Sequence, residues 1–389
     1  MSFSQLPEEL LYVITDNIYD LVDLVNLSVC SKRLKSICNS TNCKNINVYD
    51  LTKSIKLPDK TYIDNVFKFN KNLKLKIEII DNENISDVSY FGKVHTLNLS
   101  SCHHITDVSA LVNIHTLNLS NCQSLTDVSA LGNVHTLNLS YCHSLTDVSK
   151  LENITKLNLS WCVNIKDVSK LGKVNNLCLK GCNGITNVSD LANVYDLDLS
   201  YCQNVSDVSK LGNVHTLNLS NCQNISDVSA LGNIHTLNLS NCQSLTDVSA
   251  LANVHTLNLS YCEGFSDVSK LGNVHTLDLS WCCIIVDVSK LGKVNKLSLK
   301  GCHSITNVSD LVNVYDLDLS YCQNVSDVSK LGNVHTLNLS WCCIIVDVSN
   351  LGKVNNLRLK GCDGVTDVSA LVNVPNLNLS YCRGIKNIY

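Results

Sequence analysis

Cysteine and histidine, two side chains that bind zinc, recur in this sequence at intervals of twenty residues. Cysteines occupy every twentieth position from 102 to 382, and histidines do so at positions 95 to 135 and 215 to 275. Such residues can bind a metal, form disulfides or act as nucleophiles, and each role needs its own arrangement in space. Their chemistry therefore depends on the structure that a twenty-residue interval builds.

Nearly the whole chain after residue 75 consists of one repeated phrase. The stretch LNLSNCQSLTDVSALGNVHT begins at Leu117, and LNLSYCHSLTDVSKLENITK follows it at Leu137. Leu137 and Leu139 alternate as in a β-strand with one buried face. The apolar residues that follow are three apart, at Cys142, Leu145, Val148 and Leu151, which predicts a wide turn and a short, tight helical piece. Such a repeat buries its apolar edge only by stacking on its neighbours.

Stacked, parallel strands argue against metal or disulfide chemistry at these positions. Histidines at the same position of neighbouring repeats would form a row of parallel side chains, whereas zinc needs a tetrahedral cage. The cysteines would all point in the same direction into the core, and the adjacent Cys282 and Cys283 would face apart. We therefore expect free thiols, an exposed histidine row, and no metal or cofactor.

The repeat resembles the leucine-rich repeat family through its pattern L-x-x-L-x-L-x-x-(N/C)-x-L over residues 71–389. The resemblance implies an α/β solenoid with a parallel concave sheet and short 3-10 turns on the convex side, in about 16 repeats. In the first repeat Asn82 stands at the cysteine position, and we expect both residue types to donate a hydrogen bond to an otherwise unpaired carbonyl of the neighbouring turn. Asp147, or the neighbouring Thr146, is predicted to accept from free backbone amides at the start of the helical piece.

Departures from the common strand sequence Thr-Leu-Asn-Leu-Ser mark a candidate target-binding surface. They cluster between residues 281 and 360, and we place them on the concave face of the sheet. Trp, Tyr and Arg often dominate binding energy at interfaces. The alternative to target binding is neutral drift after duplication. Residues 101–220 are closely similar in sequence to residues 221–340, so whole blocks of repeats have been copied. The candidate residues are Trp281, Lys296, Lys300, Asp316, Asp318, Tyr321, Trp341, Arg358 and Lys360.

Composition argues against an enzyme, a nucleic-acid-binding protein and a membrane protein. No glycine-rich phosphate loop or unique acid–base pair stands outside the repeat, and catalysis needs a single pre-arranged constellation. The net charge is −4, with acidic and basic residues interspersed, and no window has the roughly 18 apolar residues of a membrane span. The N-terminus does not read as a signal peptide. We therefore expect an intracellular protein, cytoplasmic or nuclear.

The first forty residues share nothing with the repeat. Apolar residues recur there at steps of three and four, as on the buried side of helices. The order Leu-Pro-x-Glu-Leu-Leu at residue 6, followed by Leu-x-x-Leu-Ser-x-x-Ser-Lys-Arg at residue 24, resembles the F-box, a small three-helix module; Leu34 stands where that family usually has an aromatic residue. The resemblance implies docking onto the Skp adaptor of SCF-type cullin–RING ubiquitin ligases. The residues that would make this contact are Leu6, Pro7, Leu10, Leu11, Ile14, Leu24 and Leu27.

The sequence thus predicts an F-box at residues 1–43, a connector and cap at residues 44–70 with a strand near residues 47–49, and the array at residues 71–389. The predicted function is that of a substrate-recognition adaptor of an SCF-type ligase, monomeric outside that complex, whose array binds a target protein. The alternative is a freestanding leucine-rich scaffold or inhibitor, in which the N-terminal helices only cap the solenoid.

Overall fold

A computed structural model of the chain describes residues 46–48, 60, 63–64 and 74–385. The predicted F-box, with all of its proposed adaptor contacts, lies outside these residues, as does most of the connector. Strand β1 spans Ile46–Val48, one residue earlier than the predicted strand, and residues 60, 63 and 64 are helical. The described part of the array divides into an N-terminal unit that ends at Gly184 and a C-terminal unit that begins at Ile185.

Each repeat contributes a strand of three or four residues, as the alternation of apolar residues predicted. In the repeat around strand β5 (Thr136–Asn138), Leu137 and Leu139 are fully buried while Thr136 and Asn138 are partly exposed. The strand ends because the Asn138 Oδ1 atom accepts a hydrogen bond from the Ser140 amide at 3.0 Å, and Tyr141 then adopts a left-handed conformation with φ of 62°. The direction of the chain therefore changes at the same point in every repeat.

The second half of the repeat is a turn that leads into a single turn of 3-10 helix. The Asp147 Oδ1 atom accepts a hydrogen bond from the Ser149 amide at 2.8 Å, which confirms the predicted role of this aspartate. The 3-10 helix Ser149–Leu151 follows and is closed by the Leu151 amide, which donates to the Val148 carbonyl at 3.0 Å. Leu145, Val148 and Leu151 are buried in the core.

The cysteine column is buried from Cys102 to Cys362, as predicted, and its thiols are free. Cys142 has no exposed surface, and its Sγ atom donates to the Leu119 carbonyl of the preceding repeat at 3.1 Å. That carbonyl was wrongly expected to be otherwise unpaired, because it also accepts from the Cys122 amide at 3.3 Å. The cysteine therefore uses the second lone pair of an occupied carbonyl. Asn82 behaves differently, since its Oδ1 atom accepts from the Asn84 amide within its own turn.

In the N-terminal unit the strands pair in parallel, in order along the chain, with equivalent residues opposite one another. After β1 pairs with β2, each strand from β2 onward meets the strand twenty residues further on, as Leu117 meets Leu137. The strands after β1 are β2 (Leu75–Glu78), β3 (Thr96–Asn98), β4 (Thr116–Asn118), β5, β6 (Lys156–Asn158) and β7 (Asn176–Cys178). The 3-10 helices are Ser89–Phe91, Ser109–Leu111, Ser129–Leu131, Ser149–Leu151 and Ser169–Lys173.

The C-terminal unit follows the same rule. Its strands pair in parallel and in register from β8 to β17. They are β8 (Asp196–Asp198), β9 (Thr216–Asn218), β10 (Thr236–Asn238), β11 (Thr256–Asn258), β12 (Thr276–Asp278), β13 (Lys296–Ser298), β14 (Asp316–Asp318), β15 (Thr336–Asn338), β16 (Asn356–Arg358) and β17 (Asn376–Asn378). The 3-10 helices are Ser189–Leu191, Leu211–Asn213, Ser229–Leu231, Ser249–Asn253, Ser269–Asn273, Ser289–Leu291, Ser309–Asn313, Leu331–Asn333, Ser349–Leu351 and Ser369–Leu371.

The core of each unit lies between the sheet and the 3-10 turns. The repeats contribute equivalent apolar side chains to it, so each interior position forms a column of identical or similar residues, with Asn82 as the exception in the cysteine column. Burying one such leucine contributes about 1.5–3 kcal/mol relative to leaving it exposed. Over residues 46–48, 60, 63–64 and 74–385, no helix has the length and apolar character needed to cross a membrane.

Candidate target-binding surface

The sheet face that points away from the core carries rows of small polar side chains. Threonine, asparagine and serine occupy the alternate positions of most strands, as at Thr236, Asn238 and Ser240. Their polar groups are used locally, because the Asn238 Oδ1 atom accepts from the Ser240 amide at 3.0 Å. Such rows offer little that distinguishes one repeat from the next.

Four of the candidate residues lie on this sheet face, within strands of the C-terminal unit. Lys296 of β13 and Asp316 of β14 are register partners, and Lys296 is exposed. Asp318 accepts a hydrogen bond from the Ser320 amide at 2.8 Å and another from the Asn338 side chain at 3.1 Å. Arg358 is the third residue of β16 and is exposed.

The three aromatic candidates lie elsewhere. The sequence prediction had placed them on the sheet face. They lie instead in the turn that follows a strand, directly after its serine, and are Trp281, Tyr321 and Trp341. Their φ angles are 64°, 61° and 65°, in the left-handed region that most side chains avoid. This conformation carries their rings to the rim of the sheet, at the carboxyl ends of the strands.

Each of these tryptophans is paired with a glycine twenty residues later. A Cβ atom on Gly301 would stand 2.4 Å from the Cε3 atom of Trp281, and one on Gly361 would stand 2.5 Å from the same atom of Trp341. Both glycines have φ near 70°, like the non-glycine residues at this position of other repeats. Each indole therefore lies flat over the glycine of the next repeat.

The glycines allow five rings of the C-terminal unit to form an unbroken row, which we call the aromatic row. Neighbouring ring centroids are 6.1, 6.0, 6.2 and 6.4 Å apart, and the two ends, Tyr261 and Tyr381, are 53% and 70% exposed. The sequence prediction missed these two end residues, although they occupy the same position of the repeat as Trp281. The row consists of Tyr261, Trp281, Tyr321, Trp341 and Tyr381.

Two lysines flank the aromatic row. The Nζ atom of Lys300 lies 5.6 Å from the centroid of the Tyr321 ring, and that of Lys360 lies 5.0 Å from the centroid of the Tyr381 ring. Both are cation–π distances. The backbone of each lysine is fixed as well, since the Trp281 and Trp341 amides donate to the Lys300 and Lys360 carbonyls at 2.7 Å. Five of the candidate residues predicted from the sequence are thus neighbours in the structure. They are Trp281, Lys300, Tyr321, Trp341 and Lys360.

The segments that follow Trp281 and Trp341 also expose aliphatic side chains. The sequence prediction did not include these residues among its candidates. Ile284 and Val286 are 44% and 59% exposed, and Ile344 and Val346 are 46% and 61% exposed. Most other repeats carry Asn, Ser, Thr or Gly at these positions, so the signal was present in the sequence as a contrast between repeats. The apolar surface thus extends from the row into these turns.

The N-terminal unit carries a smaller version of the same arrangement. Tyr141 and Trp161 have ring centroids 6.2 Å apart, and a Cβ atom on Gly181 would stand 2.5 Å from the Trp161 ring. The tryptophan–glycine pair therefore occurs in both units.

The histidines form stacks at the amino ends of the strands, whereas the aromatic row lies at their carboxyl ends. In the C-terminal unit Tyr195, His215, His235, His255 and His275 follow one another with ring centroids 4.6 to 4.7 Å apart and planes within 16° of parallel. Partial desolvation, followed by the charges of His275 and His235, lowers the pKa of His255. No group of His, Cys, Asp and Glu suited to a metal occurs in the part of the chain that the structure describes.

The fold is that of leucine-rich repeat proteins. A leucine-rich repeat protein of Leptospira interrogans superposes with a TM-score of 0.55 over 96% of this chain and 98% of its own, at 16% identity. The functional domain of InlJ from Listeria monocytogenes, which includes a cysteine ladder, gives 0.52 over 77% and 71% at 22% identity. TLR13, in its complex with ssRNA13, gives 0.54 over 86% and 57% at 17% identity. No protein-family profile matches the sequence, and no curated protein is similar to it.

Proposed function

We propose that this chain is a protein-interaction adaptor whose array binds a target protein through the aromatic row. The row carries the proposal, because five partly exposed rings lie in contact along one rim, with exposed aliphatic side chains in the adjoining turns. Tryptophan and tyrosine are enriched among the residues that dominate binding energy at protein interfaces. A net charge of −4 favours a protein target over a nucleic acid.

The second half of the proposal concerns the N-terminal segment. Its F-box-like sequence supports docking onto a Skp-type adaptor of an SCF-type cullin–RING ligase, with Leu6 and Pro7 at the contact. The chain would then carry a bound target to the ligase, in the cytoplasm or nucleus, as a monomer outside that complex. It would do so without catalysis or a cofactor of its own.

The alternative is a freestanding leucine-rich scaffold or inhibitor. It uses the same aromatic row but has no ligase partner, and its N-terminal residues only close the end of the array. The two functions differ in whether the Skp adaptor binds.

Co-purification of Skp with the tagged full-length chain tests the N-terminal half. We expect the unchanged chain to retain Skp, the double variant Leu6→Asp/Pro7→Ala to lose it, and the matched array variant Tyr195→Ala to retain it. Unchanged circular dichroism of the double variant would show that the array is intact. Absence of Skp from the unchanged chain would support the scaffold function instead.

Target capture tests the array half. Cross-linking in cells under proteasome inhibition, followed by mass spectrometry, should recover a partner whose yield falls strongly in Trp281→Ala/Trp341→Ala. Tyr195→Ala is the control, because Tyr195 is 49% exposed and lies in the histidine stack, outside the row. Equal recovery by both variants would show that the row is not the binding surface.

A further inference from the structure

The two lysines beside the aromatic row have positive charges that no carboxylate of the described residues neutralises by an ion pair. Two aspartates of the sheet face accept hydrogen bonds from neutral groups and form no ion pair with these lysines. Asp278 accepts from the amide and hydroxyl of Ser280, and Asp318 accepts from Ser320 and Asn338. Among the described residues, Lys300 and Lys360 therefore present two cations at the rim that lie over tyrosine rings and form no ion pair.

The spacing of these cations is fixed by the repeat. Lys300 and Lys360 occupy the same position in repeats sixty residues apart, which is three inter-strand steps, or about 14 Å. Their amines lie over Tyr321 and Tyr381, and the Trp341 ring lies between these two tyrosines, 6.2 and 6.4 Å from them. The surface is thus a cation, an apolar ring and a second cation in a line.

We propose that the aromatic row binds an extended acidic peptide segment of the pattern (Asp/Glu)-x-(apolar)-x-(Asp/Glu), with one carboxylate on Lys300, the other on Lys360 and the central side chain on Trp341. This inference rests on the proposed function and specifies the chemistry of its target.

The extended conformation follows from the spacing. In a β-strand, residues four apart share one face and lie about 13–14 Å apart, and the residue midway between them shares that face too. On one face of an α-helix, residues seven or eleven apart lie about 10 or 16 Å apart, and neither distance matches the lysines. An extended segment therefore places all three side chains on their sites together.

Synthetic peptides test the pattern on the full-length chain. The probe is a fluorescein-labelled peptide containing Asp-Thr-Leu-Thr-Asp between glycines, followed by fluorescence polarisation. Its matched control has the same composition in the order Thr-Asp-Leu-Asp-Thr. The two aspartates are then two residues apart instead of four. We expect the first peptide to bind at least about fivefold more tightly than the control, because only its carboxylates reach both lysines.

Variants of the protein test the residues. Lys300→Met/Lys360→Met should weaken binding of the first peptide roughly tenfold, since two partly exposed charge contacts are lost. Lys290→Met/Lys330→Met removes the same net charge from exposed positions outside the row and should leave the affinity unchanged. Melting temperatures of both variants report whether each is folded.

Equal binding of the two peptides, equal effects of the two double variants, or no binding of the first peptide at millimolar concentration would each overturn the inference. The outcomes that reject the acidic peptide differ from those that reject the proposed function. A cross-linked target that depends on Trp281 and Trp341 but not on Lys300 and Lys360 would leave the aromatic row as the target-binding surface and reject only the acidic peptide.

Discussion

The Trp281 indole ring lies over Gly301 of the following repeat, so closely that a Cβ atom there would stand 2.4 Å from the ring. The same contact joins Trp161 to Gly181 and Trp341 to Gly361 within their own units. Other repeats place asparagine, serine or tyrosine at this left-handed position, so the backbone does not require glycine there. The glycine is required by the tryptophan before it, and the two residues form one structural element.

Replacing this glycine tests the coupling. We expect Gly301→Asn to destabilise the chain by about 1–3 kcal/mol, because the new side chain must displace the Trp281 ring. In a Trp281→Asn background the same replacement should cost much less, since it recreates the Asn221–Asn241 pair, whose side chains are joined by a hydrogen bond of 2.7 Å. Denaturant unfolding of the four proteins gives the coupling energy. Equal costs in both backgrounds would show that the ring contact is unimportant.

The cysteine column should be chemically inert in the native protein. Burial raises the pKa of Cys142, Cys162 and Cys322 to about 12, so their thiols stay neutral and unreactive at pH 8. Among the cysteines that the structure describes, the exposed Cys343 should react first with a thiol reagent, and the buried column from Cys102 to Cys362 should react only after denaturation. Labelling at timed intervals, mapped by mass spectrometry, checks the order. Rapid labelling of Cys142 in the folded chain would contradict this account of the core.

The histidine stack should make the C-terminal unit less stable in acid. The pKa of His255 is lowered in the folded chain, so the unfolded chain binds the proton first. The stabilising contribution is therefore present above about pH 6.5 and is lost as the pH falls through the lowered folded pKa. His255→Asn, which imitates Asn295 and Asn355 at the same position, should reduce the drop in melting temperature between pH 7.5 and pH 5. An equal drop in melting temperature in His255→Asn and the unchanged chain would contradict this role of the stack.

Deletions should follow the period of the repeat. Removal of residues 131–150 joins equivalent positions and leaves one strand fewer in the same register, so folding should be retained. Removal of residues 141–150 deletes half as much chain but takes away Cys142, Leu145 and Val148, which are fully buried. It should cost several kcal/mol, because each such side chain contributes about 1.5–3 kcal/mol. Circular-dichroism melts compare the two, and similar melting temperatures would exclude stacking by repeats.

The architecture was predictable because its determinants are local and repeated. Alternating leucines predicted the strands, and the spacing of three predicted the 3-10 turns. Asp147 accepts the hydrogen bond from the Ser149 amide with which each such turn begins. Repetition then left only one way to bury the apolar edges, which is to stack the strands in parallel and in register.

The candidate surface was only partly predictable. Lys300 and Lys360 were predicted from their residue type. Their contacts with Tyr321 and Tyr381 could not be predicted, because they depend on the direction in which the left-handed backbone of each tyrosine points its ring. Tyr261 and Tyr381 were overlooked because one tyrosine in isolation carries no signal. Ile284 and Val286 resemble core residues in composition, and only their exposure separates them from the buried Ile285.

By itself the sequence determined the strand, the turn and the buried cysteine column, because short-range spacing and steric preference act within one repeat. The tertiary structure alone decided which side chains meet across repeats. Parallel stacking places residues twenty positions apart about 4.8 Å from one another and residues forty positions apart about 9.6 Å. The Trp281 ring lies over Gly301 and closes the second distance, so that its centroid is 6.0 Å from the centroid of the Tyr321 ring. The aromatic row exists only in the stacked array, since no single repeat holds more than one of its rings.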